Sequence, residues 1–283
     1  MFERIATGWA LTKQAVNVLR LDKELLLFPI LSGLCCLVVL ASFFVPAYAF
    51  GIFDALIENR ESQQGKILLA AIGFAFYFVN YFVMVFFNSA LVGCSVIRLK
   101  GGDPTVSDGF ATAFSRLPQI AAWAAVAATV GVILKSFENK DNKLGQIVIG
   151  LIGAAWTMLT FFVVPIIVIE QLGPFAAIKR SASLLTDTWG ESVSSTFSLR
   201  LITFLLSLLG VLLIVGGGFL IANQMAAIGI PLLLVGVLIL LAISLISSAL
   251  NSIILAALYI YAVEGRTADN FDPTLIEHAF ASK

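Results

Sequence analysis

Apolar residues gather in six long stretches of this chain, residues 25–53, 67–99, 117–134, 147–169, 201–222 and 230–263. Each approaches or exceeds the ~20 residues that carry a helix across a bilayer, so six membrane-spanning helices are expected. The second and sixth run past 30 residues. At about 1.5 Å per residue they outreach a hydrocarbon layer of ~30 Å, and must tilt strongly or project beyond it. Pro29 and Pro46 interrupt the first stretch, where proline is tolerated near a span end or as a kink. The third stretch is short and rich in alanine, the composition of a helix packed closely on its neighbours.

Outside these stretches the pattern becomes periodic. Residues 2–20 place Phe2, Ile5, Trp9, Val16 and Leu19 on one helical face, with Glu3, Arg4, Lys13, Gln14, Asn17 and Arg20 largely elsewhere. Residues 103–117 set out Val106, Phe110, Ala113, Phe114 and Leu117 in the same way. After a turn at Gly173-Pro174, Phe175, Ile178, Ala182, Leu185 and Trp189 form an apolar face opposite Lys179, Arg180, Ser183, Thr186 and Asp187. Three amphipathic helices, each able to lie at a membrane surface, are expected.

The exits of the even-numbered spans echo one another. Asn88-Ser89 stand fourteen residues before Gly102, Asn251-Ser252 stand fourteen before Gly265, and Leu159-Thr160 hold the matching offset from Gly173. Asp103-Pro104-Thr105 and Asp272-Pro273-Thr274 both follow their glycine, and LTKQAVNVLR before the first span resembles AIKRSASLLT before the fifth. The expected architecture is therefore all-α and integral to the membrane. It is a single membrane domain over 1–283, built as a three-fold internal repeat of a surface helix plus a transmembrane hairpin, with units 1–102, 103–173 and 174–283.

At VVPIIVIEQLGPFAAIKRSASLLTDTWGE the chain resembles a broad group of prokaryotic six-span membrane proteins. That group includes the membrane domain attached to some glycerophosphodiester phosphodiesterases. The motif is a proline in the span (Pro165), an acid at its end (Glu170), and then an alanine–isoleucine–basic–serine helix (Ala177, Ile178, Lys179, Arg180, Ser181). The resemblance implies architecture. The phosphodiesterase activity belongs to a separate domain and is not carried over.

Composition sharpens this picture. Hydrophobic residues make up 60% of the chain, charged residues 12%, and the mean hydropathy is +1.01, far from a soluble protein. Nearly all of the chain is committed to spans and connectors, which leaves no room for a soluble catalytic domain. The formal charge is zero, so nucleic acid is not an expected partner. Cys35, Cys36 and Cys94 lie in apolar runs as small hydrophobes, with neither a disulfide framework nor metal-ligand spacing. The N-terminal stretch contains Glu3, Asp22 and Glu24 and leads into an apolar run too long for a cleaved signal, so the first span is expected to be retained. Twelve of the seventeen lysines and arginines fall on the side shared by the termini and the three amphipathic helices. That bias orients both termini toward the cytoplasm of a bacterial inner membrane.

No Asp, Glu, Lys, Arg or His falls inside a span interior. Ion-coupled transport normally rests on such residues, so an ion-driven pump is disfavoured. Asn80, Asn88 and Asn251 remain as candidates for a polar ligand site, against the alternative that they hydrogen-bond between helices. Arg4, Lys13, Arg20, Lys179 and Arg180 are candidates for lipid head-group contact, against the alternative that they only set topology. Glu170 stands close in sequence to Lys179 and Arg180 and can pair with them. His278 cannot build a metal site alone, Ser181 and Ser183 have no neighbouring base, and the glycines at 216–218 are not followed by a phosphate-loop lysine. No cofactor, metal or catalytic group is therefore expected. The reading is a non-enzymatic scaffold or regulator that binds membrane lipid, other membrane proteins or further copies of itself. The alternative is a permease or lipid-handling transporter using the asparagines.

Overall fold

The structure is a computed structural model that describes residues 2–52, 62–137, 143–188 and 194–273. All regular structure among the described residues is helical: α1 (Phe2–Leu21), a 3-10 turn (Lys23–Leu26), α2 (Leu27–Ala49), α3 (Gln63–Leu99), α4 (Val106–Ser115), α5 (Leu117–Ser136), α6 (Lys143–Leu159), α7 (Val163–Ile169), α8 (Pro174–Thr188), α9 (Ser194–Ala222) and α10 (Ala226–Glu264). Among the described residues, six segments are long and apolar enough to cross a membrane: Lys23–Ala49, Gln63–Leu99, Leu117–Lys135, Gly145–Ile169, Thr203–Ala222 and Ala226–Glu264. In hydrocarbon no water can satisfy the backbone, and a helix meets that demand within one segment.

The chain forms two compact units. One comprises the described parts of Met1–Pro29, Ser95–Pro104 and Thr186–Lys283; the other comprises Ile30–Cys94 and Thr105–Leu185. In the first unit α1 packs on α9 and α10. Its core is made of Leu11, Ala15, Val18, Leu25, Phe28, Leu99 and a run of α10 in which Ser252 to Ile260 are all buried. In the second unit the core joins Val85, Leu91 and Val92 of α3, Ile120 and Ala124 of α5, and Phe162, Val163, Ile166, Ile167 and Val168. Trp123 stacks on Trp156 at 5.9 Å, and Phe43 and Phe44 meet Phe76 edge-on.

The hairpin of α9 and α10 closes on glycines. A Cβ at Gly217 would stand 2.7 Å from the Gly229 carbonyl and the Leu233 nitrogen, and one at Gly236 would stand 2.8 Å from the Gly210 carbonyl. Ile221 and Ile214 fill the space at Gly229 and Gly236, while Leu240 fills that at Gly210. Small residues on both helices let the backbones approach, which favours helix association in lipid.

In α1 the buried stripe is Leu11, Ala15, Val18 and Leu19; of the apolar face expected at a membrane surface, Trp9 is 57% exposed and Val16 half-buried. In α8 the buried stripe is Ala177, Ser181 and Leu184, while Phe175 is 75% exposed and Ile178, Ala182 and Leu185 are half-buried. In both helices part of the apolar face expected at a membrane surface lies outside the protein's own packing. One expectation changes in span four, which is interrupted where α6 ends at Leu159 and α7 begins at Val163. Phe2, Ile5 and Trp189 lie outside the residues whose side chains are described.

In α4, on the expected apolar stripe, Ala113 is buried and Phe114 is 62% exposed. Its start is set by a capping box. The Thr105 hydroxyl accepts the Asp108 N–H, and Asp108 accepts the Thr105 N–H at 2.8 Å. The Thr105 hydroxyl, followed by its backbone N–H, holds the Asp108 carboxyl below the ordinary aspartate range.

Candidate functional site

Helix α3 ends in the first unit with a complete left-handed stop. Gly101, at φ +83, donates to the Arg98 carbonyl, and Gly102 donates to the Ile97 carbonyl at 2.9 Å. This turn fixes Arg98, whose guanidinium forks onto both carboxylate oxygens of Asp22 and also reaches Asp103. Asp22 is 8% exposed and Arg98 18%, so the pair is largely out of water, whereas Asp103 is 91% exposed. Lys100 pairs with Glu264 at the end of α10, and Glu264 also accepts from Arg266 at 2.6 Å. The tail then straps the site: Asp269 N–H donates to the Leu99 carbonyl at 3.0 Å, and Asp272 N–H to Gln14 of α1 at 3.3 Å. Ala268 and Phe271 are buried beside these bonds.

The sequence reading did not single out this cluster, although a signal was present. Asp22 continues the stripe Leu11, Ala15 and Val18 at helical spacing, and an acid on a buried stripe asks for a buried cation.

The second unit holds a separate polar centre at the break in span four. The Phe162 N–H, freed by the break, donates to the buried Ser181 hydroxyl of α8 at 3.1 Å. Arg180 meets both oxygens of Glu170 at 3.2 Å, and Arg116 donates to the Val168 carbonyl at the end of α7 at 3.4 Å. Ser181 thus acts as a backbone partner for an interrupted helix. Ser181→Ala leaves that N–H buried without its partner, an expected loss of about 1–3 kcal/mol. The check is the unfolding temperature in detergent; an unchanged value removes Ser181 from the account of the break.

Asn80 donates to the Phe76 carbonyl of its own helix at 2.9 Å. Asn80 and Asn88 are both half-buried on α3 in the second unit, whereas Asn251 is exposed on α10 in the first. Lys13, Arg20 and Lys179 are exposed, while Arg180 is engaged by Glu170. Arg4 and His278 lie outside the residues whose side chains are described.

Six long apolar segments among the described residues, with ion pairs at span ends, define a multi-pass membrane protein. Within that class the chain belongs to the Family of unknown function (DUF6159), whose model matches residues 67–269. No curated protein matches the chain.

Proposed function

We propose that this protein is a non-enzymatic scaffold or regulator of a bacterial inner membrane that binds lipid or other membrane proteins. Its termini and α1, α4 and α8 face the cytoplasm on this reading. The supporting observation is the distribution of polar groups. Ionised side chains pair at span ends, where they tie elements together, and several polar side chains within spans bond to their own helix or a neighbour, the buried Ser89 hydroxyl and Gln119 amide oxygen being without such a bond. Asn80 bonds to Phe76, Thr157 to the Gly153 carbonyl at 2.8 Å, and Thr203 to Ser247 at 2.9 Å. The first two satisfy the side chain on its own helix, and the Thr203–Ser247 bond joins α9 to α10, which serves helix packing.

The three-fold repeat belongs to the same proposal. Its support is a match in burial: the shift that carries Leu11 onto Ala177 also carries Ala15 onto Ser181 and Val18 onto Leu184, all of them buried. The resemblance to the phosphodiesterase-linked membrane domain enters at the same level, as a likeness of architecture.

A second reading, a permease or lipid-handling transporter, draws on the break in span four, since interrupted helices build transport sites. Against it, the freed Phe162 N–H is already taken by Ser181. Purified protein in sealed vesicles, offered labelled amino acids, sugars and inorganic ions, should move none of them. Flux lost in an Asn88→Leu, Asn251→Leu variant of unchanged abundance would establish the transporter instead.

A further inference from the structure

We infer that α1 and α8 each dock on anionic lipid head groups through an exposed edge that pairs an aromatic residue with a lysine one turn later, Trp9 with Lys13 and Phe175 with Lys179. The inference rests on the scaffold reading and names the partner of its cytoplasmic helices.

The two edges are what remains once each helix has packed on its own unit. α1 buries Leu11, Ala15 and Val18, and α8 buries Ala177, Ser181 and Leu184. The shift relating those stripes also carries Trp9 onto Phe175 and Lys13 onto Lys179, and all four of these side chains are exposed. The edge of α1 continues through Asn17 and Arg20 to Leu21, which is 61% exposed, and between Trp9 and Leu21 there is no acid. α4 lacks the pair: beside its buried Gly109 and Ala113 it exposes Ser107 and Ala111.

Chain connectivity holds one end of each helix at the bilayer boundary. Only residues 22–26 separate α1 from the span that begins with α2, and residues 170–173 separate α7 from α8. Four or five extended residues reach at most ~14–18 Å, so the near end of each helix stays close to the interfacial layer. There an aromatic ring is favoured at head-group depth, and a lysine stem can run along apolar surface while its ammonium meets phosphate. Two large exposed aromatics, each beside a lysine on the same exposed edge, fit a negatively charged lipid surface.

The test uses the full-length protein in mild detergent, titrated with phosphatidylglycerol or phosphatidylcholine, with retained lipid counted by native mass spectrometry. Phosphatidylglycerol should be retained in preference, and added salt should erode the preference. Lys13→Gln with Lys179→Gln should weaken phosphatidylglycerol binding about fivefold for each lysine removed. Lys13→Arg with Lys179→Arg should restore it. Lys135→Gln, at a lysine 5.9 Å above the Tyr77 ring, should leave it unchanged. Equal phosphatidylglycerol affinity in the glutamine variant and the parent overturns the inference and leaves the scaffold reading standing, whereas solute flux sinks the scaffold reading alone. Should the glutamine variant not accumulate, hydrogen exchange of the unaltered protein in nanodiscs decides. Protection of α1 and α8 in phosphatidylglycerol but not phosphatidylcholine supports the inference; equal exchange overturns it.

Discussion

Gly217→Leu is expected to collapse the α9–α10 hairpin, whereas Gly218→Leu one position on is expected to leave it folded. The contrast comes from what each glycine faces. A Cβ at Gly217 would come within 2.7 Å of backbone on α10 and 3.0 Å of the Leu233 Cβ, while at Gly218 nothing lies within 4 Å. Backbone cannot swing aside as a flexible side-chain end can, so the helices must separate along their contact. Overpacking in a close-packed interior costs about 1–3 kcal/mol, and more when a whole interface must move. Parting these helices also withdraws support from α1, which packs on both. Folded protein recovered after extraction, read by size-exclusion profile and unfolding temperature, should fall severalfold for Gly217→Leu and stay near the parent for Gly218→Leu. Similar behaviour of the two variants would show that the hairpin does not depend on this contact.

That contrast also marks the limit of what the sequence conveys. Hydropathy alone located the six spans, because continuous apolar runs of bilayer length have few alternative structures. The three adjacent glycines at 216–218 point in three directions, and only the facing helix selects Gly217. Periodicity found that α1 and α8 are helical and picked out their greasiest residues. It did not give the stripe that packs on protein, which is Leu11, Ala15, Val18 and Leu19 in α1 and Ala177, Ser181 and Leu184 in α8, with Trp9 and Phe175 left outside. The Glu170 and Arg180 pairing was legible from proximity in the chain. The break in span four was hidden: Pro165 hinted at irregularity, but the group that satisfies Phe162 lies nineteen residues away on another helix.

Arg98→Met is expected to destabilise the first unit more than Asp22→Leu does, and the double substitution is expected to recover much of the loss. Removing the guanidinium strands the Asp22 carboxylate at 8% exposure, and breaking a buried pair in this way costs about 3–5 kcal/mol. Removing the carboxylate is milder, because Arg98 keeps Asp103 and is the more exposed partner. Asp103→Asn should be nearly silent, since that side chain is 91% exposed and surface pairs contribute about 0–1 kcal/mol. Replacing both buried members with apolar residues abolishes the stranded charge, and such replacements are often neutral. Thermal unfolding of the four variants in one detergent orders them. A double variant no more stable than Arg98→Met would mean that the fork holds α3 to α1 by its hydrogen-bond geometry. Recovery would mean that mutual neutralisation of two buried charges is what the site requires, with the tail bonds from Asp269 to Leu99 and Asp272 to Gln14 keeping the elements together in its absence.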